Sequence, residues 1–493
     1  MQLGLRPRTV PSDRPEVADS AAAVRKRAVA GVTNLAIREA AIRGLGLIGN
    51  LVLARLLVPS DYGIIAVGYT LMSLGSLIAD GGLGAALIGR ERPPSAAELR
   101  GLLGFHLAGT SAGFVAIAGI GSFLGSAGGT ASVMAIALPL TALRVPTVLT
   151  LEREMDYRLV VWADIAEIVV YNVVAIALVL AGLGVWGVAL AVVAKAVTGS
   201  SVLLALGPIH WLRPSLRFGE IRSLLRFGAQ FQSVSIINAL REQGMNLVVG
   251  AVGGLATLGI WSLASRILQA IFLLLNSLWR VAYPAVARLI ETGESALPSM
   301  ERSLDLSSAA LGVLVVAIGG TAPALVPALF TSRWNEAIAV LPWTAASLMV
   351  LGPLSTSAVG YLFATHRPLV VLRATVYYSV VWFAVSVPLI RSLGAEALGI
   401  GIGAAAVVNC VVLSRVVRRD GIRVRENCQI QTVLAGVGGA AAWFTAEALG
   451  PNLVSLGVAL GSGEAVYLAG LILLRRRALV GLLRLASVAL GRG

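Results

Sequence analysis

Apolar runs of roughly 20 residues, the length a helix needs to cross a hydrocarbon core about 30 Å thick, recur from about residue 36 to residue 474 with only short polar breaks. Such runs span as helices, because a helix satisfies its own backbone hydrogen bonds within the segment. Composition agrees: of the 493 residues 57% are hydrophobic and 13% charged, against about 25% charged in an ordinary soluble domain. The expectation is an all-α polytopic membrane protein with about fourteen transmembrane helices, twelve being the alternative count.

The net charge of +14 would suit a nucleic-acid binder, but its placement argues for topology instead. With a cytoplasmic N-terminus, only Arg55, Arg333 and Arg391 of the 39 Lys and Arg fall in outer connections. Arg43, Lys195, Arg241 and Arg266 fall inside spans, and the rest lie in tails and inner loops. Positive residues gather on the cytoplasmic side, so both termini are expected in the cytoplasm of a multi-pass inner or plasma membrane protein. The basic loops then face membrane lipids with anionic headgroups rather than nucleic acid.

The first 35 residues mix Arg6, Arg8 and Arg14 with Pro and Asp and have no compact apolar core. They read as a disordered cytoplasmic tail rather than a cleaved signal. Outer connections such as GSAGG near residue 126, AGLGVWG from residue 181 and GAVGGLATLG from residue 250 leave no room for an outer domain. In RFGEIRSLLRFG, from Arg217 to Gly228, Ile221, Leu224 and Leu225 share one helical face against Arg222 and Arg226. This reads either as an interfacial helix linking two halves or as a basic loop before a span.

Shifting the chain against itself by 196 residues lays NLVLARLLVPSDYGI, from Asn50 to Ile64, on NLVVGAVGGLATLGI, from Asn246 to Ile260. Asn50 meets Asn246 and Gly63 meets Gly259, at the same place in each half. A duplication of six spans keeps both copies in one orientation and predicts a parallel repeat about an axis along the membrane normal. The expected organisation is a tail over 1–35, a six-helix lobe over 36–208, an amphipathic linker over 209–227, a second six-helix lobe over 228–418, and two extra helices with a basic tail over 419–493.

The same offset lays Asp80 on Asn276 and Ser73 on Gln269. Ser262, Arg266, Gln269, Asn276 and Arg280 recur at helical spacing in one second span, as Tyr69, Ser73, Ser76 and Asp80 do in the other. Polar groups inside a span are costly unless they face a bundle interior or water, so two such stripes imply a hydrated cavity between the halves. Several of these residues carry a plainer reading beside this one. Asp80 pairs with a basic loop if it lies at the cytoplasmic end, Arg241 forms a structural ion pair with Glu242, and Arg43 snorkels to the inner surface. Glu464 contacts a neighbouring hydroxyl.

The chain has two lysines, Lys26 and Lys195, and neither follows a glycine, which excludes a phosphate-binding P-loop. His106, His210 and His366 show no zinc spacing, and Cys410 and Cys428 suggest neither a disulfide framework nor a metal site. No cofactor, no catalytic residue and no enzymatic activity are expected.

The stretch LARLLVPSDYGIIAVGYTLMSLGSLIADGGLGAALIGR resembles the first two helices of polysaccharide flippases, the O-antigen and exopolysaccharide branch of the multidrug/oligosaccharidyl-lipid/polysaccharide exporter superfamily. LEREMDYRLVVWADI, AGLGVWGVAL, PSLRFGEIRSLLRFG and NLVVGAVGGLATLGIWSLASRI are similar blocks, and the likeness covers most of residues 36–300. It implies two six-helix lobes in a V around a cationic cavity, with two further C-terminal helices, moving undecaprenyl-pyrophosphate-linked oligosaccharide outward. Relatives often place an acidic residue directly before the Asn of NLVVG, where this chain has Met245.

A pyrophosphate joined to sugars needs cations to replace its lost hydration, and the arginine fork binds phosphate oxygens bidentately. Arg266, Arg241, Arg43 and Lys195 are the ranked cationic candidates, with Gln269, Asn276 and Ser73 for the glycan. Asp80 and Glu242 are candidates to bind a coupling cation, proton or sodium, or to neutralise the empty site. Expected partners are the lipid-linked oligosaccharide, membrane lipids and polysaccharide polymerase or assembly proteins. The alternatives are a drug/cation antiporter of the same superfamily and, further off, a membrane polysaccharide polymerase or ligase.

Overall fold

The computed structural model describes residue 42 and residues 44–80, 83–88, 92–209, 212–216, 222–422, 424–476 and 478–482. The expected tail, Arg43, His210 and residues 217–221 of the expected linker lie outside the described residues, as do the side chains of Asp80, Asn276 and Arg280. Among the described residues the regular structure is helical, with no strand.

Among the described residues ten helices are long and apolar enough to cross a membrane, or eleven if the pair Gly125–Ala142 and Val145–Arg153, bent by 50°, is one span. One of these is counted inside a single 70-residue helical run, Arg222–Glu291, which at 1.5 Å per residue would be about 105 Å long if straight. It is not straight. Gly254 has φ 83° and ψ 172°, and a Cβ on Gly250 would sit 3.3 Å from Leu258 Cδ2. Residues eight apart in a continuous helix are about 12 Å apart, so the chain reverses at Gly254, in the expected outer connection. The run begins at Arg222, inside the stretch expected to be the linker.

We number the helices α1 (Gly44–Leu56), α2 (Pro59–Asp80), α3 (Leu83–Ile88), α4 (Ala96–Gly121), α5 (Gly125–Ala135), α6 (Ala137–Ala142), α7 (Val145–Arg153), α8 (Arg158–Leu178), α9 (Val185–Leu206), α10 (Arg222–Glu291), α11 (Leu297–Val315), α12 (Ala322–Phe330), α13 (Glu336–Ala364), α14 (Pro368–Leu393), α15 (Glu396–Arg419), α16 (Val424–Leu449) and α17 (Leu453–Leu474). Helices α4 and α5 pack on α2, and α8 packs on α9. Later in the chain α13 packs on α10, α11 and α15, α14 packs on α15, and the α16–α17 pair packs on α11 to α13. The extensive contact of α2 with α10 joins these two groups.

Local sequence explains several of the boundaries. Ser95 caps α4 by accepting from the Glu98 backbone N–H at 3.2 Å, while Glu98 Oε2 accepts from the Ser95 N–H at 2.8 Å, a capping box that satisfies two orphan donors. The bend between α6 and α7 carries Arg144, a residue the charge pattern assigns to an inner loop. Glycine permits the joint between α2 and α10. A Cβ on Gly63 would overlap the Leu255 carbonyl, and one on Gly259 would overlap the Pro59 carbonyl.

Candidate functional site

The two glycine contacts are reciprocal. Adding 196 to Pro59 and Gly63 gives Leu255 and Gly259, so each glycine meets the repeat mate of the residue the other glycine meets. A two-fold operator generates this pattern, in which residue i touches j and j's equivalent touches i's equivalent. Deeper in the same joint the pattern recurs with hydrogen bonds. Arg266 donates from Nη1 to Asn50 Oδ1 at 2.9 Å, and Asn246 donates from Nδ2 to Thr70 Oγ1 at 3.3 Å. Asn50 and Asn246 are repeat mates, and so are Thr70 and Arg266.

Arg266 is half-buried and held on two sides. Its guanidinium carbon lies 5.5 Å from the centre of the Tyr62 ring, within cation–π range, and the Tyr62 hydroxyl donates to Asn50 Oδ1 at 3.0 Å. Tyr62 is fixed in turn by an edge-on contact with Trp334, centroid to centroid 4.8 Å, and the Trp334 indole donates to the Ala54 carbonyl at 2.8 Å. Arg55 reaches the last turn of α12, donating to the Leu329 carbonyl at 2.9 Å and the Ala328 carbonyl at 3.1 Å. A guanidinium suits the negative end of a helix. Together these contacts fasten the α1–α2 corner to the segment 322–334 and to α10.

The rest of the predicted set falls into three situations. Ser73 of α2 is half-buried and Gln269 of α10 exposed, while Leu263, Leu268 and Ile271 of α10 are fully buried. Arg241 Nη2 lies 3.2 Å from Glu242 Oε1, the ion pair weighed from the sequence, and its guanidinium stacks 5.4 Å from the Tyr378 ring centre. Trp382, 6.3 Å from both the Tyr378 and the Trp261 ring centres, makes that neighbourhood aromatic. Met245 is fully buried in the core, so an apolar side chain fills the position where relatives often carry an acid.

Lys195 has a partner that sequence reasoning missed. Its Nζ lies 3.9 Å from Glu167 Oε2, and Arg144 pairs with the other oxygen of the same carboxylate. Glu167 is 6% exposed, Lys195 43%. A Cβ on Gly199 would overlap Glu167, so the glycine opens the space this triad occupies. No described partner accounts for Glu464 Oε1, and His106 is a buried residue of α4. Cys410 and Cys428 are free thiols, and no group of three metal-ligating residues occurs among the described residues. Outside the spans, the hydrogen bond from Arg367 to Asp420 at 2.5 Å ties two helix connections and holds the guanidinium above its ordinary pKa.

The fold is shared with transporters and flippases. It superposes on a lipid II flippase, MurJ, in an inward closed conformation with a TM-score of 0.67 at 12% identity, covering 90% of this chain and 99% of the other. A multidrug resistance MATE family transporter of the MOP superfamily gives 0.57 at 16% identity, covering 79% and 98%. Residues 52–339 match the family described as Polysaccharide biosynthesis protein, and the chain belongs to that family. The succinoglycan biosynthesis transport protein ExoT of Rhizobium meliloti is 26% identical over 322 residues, 64% of each chain. The lipopolysaccharide biosynthesis protein WzxC of Escherichia coli is 24% identical over 336 residues, 64% of this chain and 66% of its own. The chain thus spans just under two thirds of the length of these curated relatives.

Proposed function

We propose that this protein moves an undecaprenyl-pyrophosphate-linked oligosaccharide from the cytoplasmic to the outer leaflet by alternating access between two six-helix lobes, and that it is not an enzyme. The observation that carries the reading is Arg266, a half-buried arginine in the α2–α10 joint whose hydrogen-bond partner is a neutral amide. Among the described residues no carboxylate pairs with Arg266, and a pyrophosphate oxygen is a stronger acceptor than the Asn50 amide. The substrate therefore competes with Asn50 for the guanidinium. Its binding releases α1 from α10 at the same moment that it gains its cation.

Reciprocal contacts at Gly63 and Gly259 support a pseudo-two-fold arrangement, and the helical reversal at Gly254 supports two spans within the 70-residue run, both in keeping with fourteen spans. Arg241, beside the Tyr378 ring, is the second-ranked phosphate candidate and Arg43 the third. Lys195 shares Glu167 with Arg144 and ranks below them. Asp80 and Glu242 remain the proposed sites for a coupling proton or sodium ion, Glu242 being the more exposed partner of its pair with Arg241 at 60%. Cytoplasmic termini and docking to a polymerase complete the reading.

Deleting the gene tests it. Loss of surface polysaccharide with accumulation of lipid-linked oligosaccharide in the inner leaflet is the expected result. Unchanged glycan with lost drug resistance would favour the antiporter instead.

A further inference from the structure

Helix α17 ends at Leu474, where Arg475 leaves helical geometry with φ −141° and ψ 47°. The chain then returns through a short helical turn over 478–482 that packs on α11, so close that a Cβ on Gly481 would overlap Leu306. Between this return, the first turns of α11 and the beginning of α16 lies a cavity of 1140 Å³. It belongs to the edge of the molecule built by α16 and α17, which pack on α11 to α13 rather than on the α2–α10 joint.

The lining of the cavity is of two kinds. Leu306, Ile430, Leu473 and Val480 supply apolar groups, and Arg302, Arg475 and Arg476 supply cations. Glu301 and Asp305 also line it, so among the described lining residues the arginines exceed the carboxylates by one. Asp305 is occupied: Arg475 Nη1 lies 3.8 Å from its Oδ1, and Gln431 donates to the same oxygen. Arg302 and Arg476 are exposed and, among the described residues, form no ion pair.

A free phosphate has no use for the leucines, and an acyl chain has none for the arginines. One excess positive charge matches one phosphodiester. Basic pockets between transmembrane helices at the cytoplasmic surface are where anionic headgroups bind, and the charge pattern puts this end of α17 on that side. We propose that the cavity bounded by α11, α16 and the return after α17 binds an anionic phospholipid of the phosphatidylglycerol class. Arg302 and Arg476 hold its phosphate, and its first acyl carbons lie along Leu306, Ile430 and Leu473.

The test is native mass spectrometry of the full chain released from an uncharged detergent, presented with equal amounts of phosphatidylglycerol, phosphatidylethanolamine and phosphatidylcholine. Wild type should retain phosphatidylglycerol over phosphatidylcholine by roughly thirtyfold, the contribution expected of two arginines near a lipid surface. The double variant R302A/R476A should bring the two lipids near parity, R302K/R476K should keep most of the preference, and Arg418→Ala, an exposed change elsewhere, should leave it intact. An unchanged preference in R302A/R476A overturns the proposal. So does equal retention of phosphatidylethanolamine, which would make the site zwitterion-binding, or displacement of the lipid by millimolar inorganic phosphate, which would make it a site for a free anion.

Discussion

Arg266 and Asn50, 216 positions apart in sequence, are joined by a 2.9 Å hydrogen bond across the α1–α10 contact, and the repeat equivalents of both residues, Thr70 and Asn246, are joined as well. The symmetry is of position, not of chemistry. One copy of the contact is charged and the other neutral, so a phosphate entering between the halves meets one strong donor rather than two.

Arg266→Ala should abolish glycan export while leaving membrane insertion and thermal stability nearly unchanged, because the guanidinium is only half-buried and Asn50 keeps its bond from Tyr62. Arg266→Lys should retain part of the activity, since the ammonium keeps the charge and loses the fork. Export assays with the thiol labelling of an Arg266→Cys variant check both. Normal export by the alanine variant together with an unlabelled cysteine would refute the cationic-site mechanism.

Gly63→Ala and Gly259→Ala should act alike, because each methyl runs into a backbone carbonyl that cannot rotate away. Overpacking of this kind costs roughly 1–3 kcal/mol, and here it falls on the arrangement in which α2 and α10 touch. Thiol reactivity of an Asn50→Cys reporter should rise in both variants to a similar degree. A change in one variant only would count against the pseudo-two-fold.

Glu167→Gln should be the most destabilising polar substitution in the first half, because it strands Arg144 and Lys195 at once. Removing one partner of a buried pair costs about 3–5 kcal/mol. Lys195→Met should cost far less, as Lys195 is 43% exposed and Arg144 still holds the carboxylate. Thermal unfolding of the purified variants separates the two. Equal losses would mean that the lysine, not the arginine, is the principal partner.

Cysteines at the exposed positions Ser126, Ser332 and Ser392 should react with an impermeant thiol reagent on intact cells, and cysteines at Glu154 and Thr292 only after permeabilisation. The variants are made after Cys410 and Cys428 are replaced by serine. The reverse pattern would invert the topology and the direction of transport with it.

The sequence alone determined the helical membrane class, because a run of roughly 20 apolar residues is a local property that each segment displays by itself. The offset read from Asn50 and Asn246 is also the one that relates the glycine contacts in the joint. Even the stripe through Ser262, Arg266 and Gln269 was legible, since helical spacing puts those residues on one face whatever the face meets. What a stripe meets is another matter. That Arg266 rests on Asn50 and Tyr62, that Lys195 and Arg144 share Glu167, and that Arg144 sits at a helix bend rather than in a loop depend on which helices are neighbours. In a low-dielectric interior a polar group takes the partner within a few ångströms, and for residues 23 to 216 positions apart only tertiary packing decides which one that is.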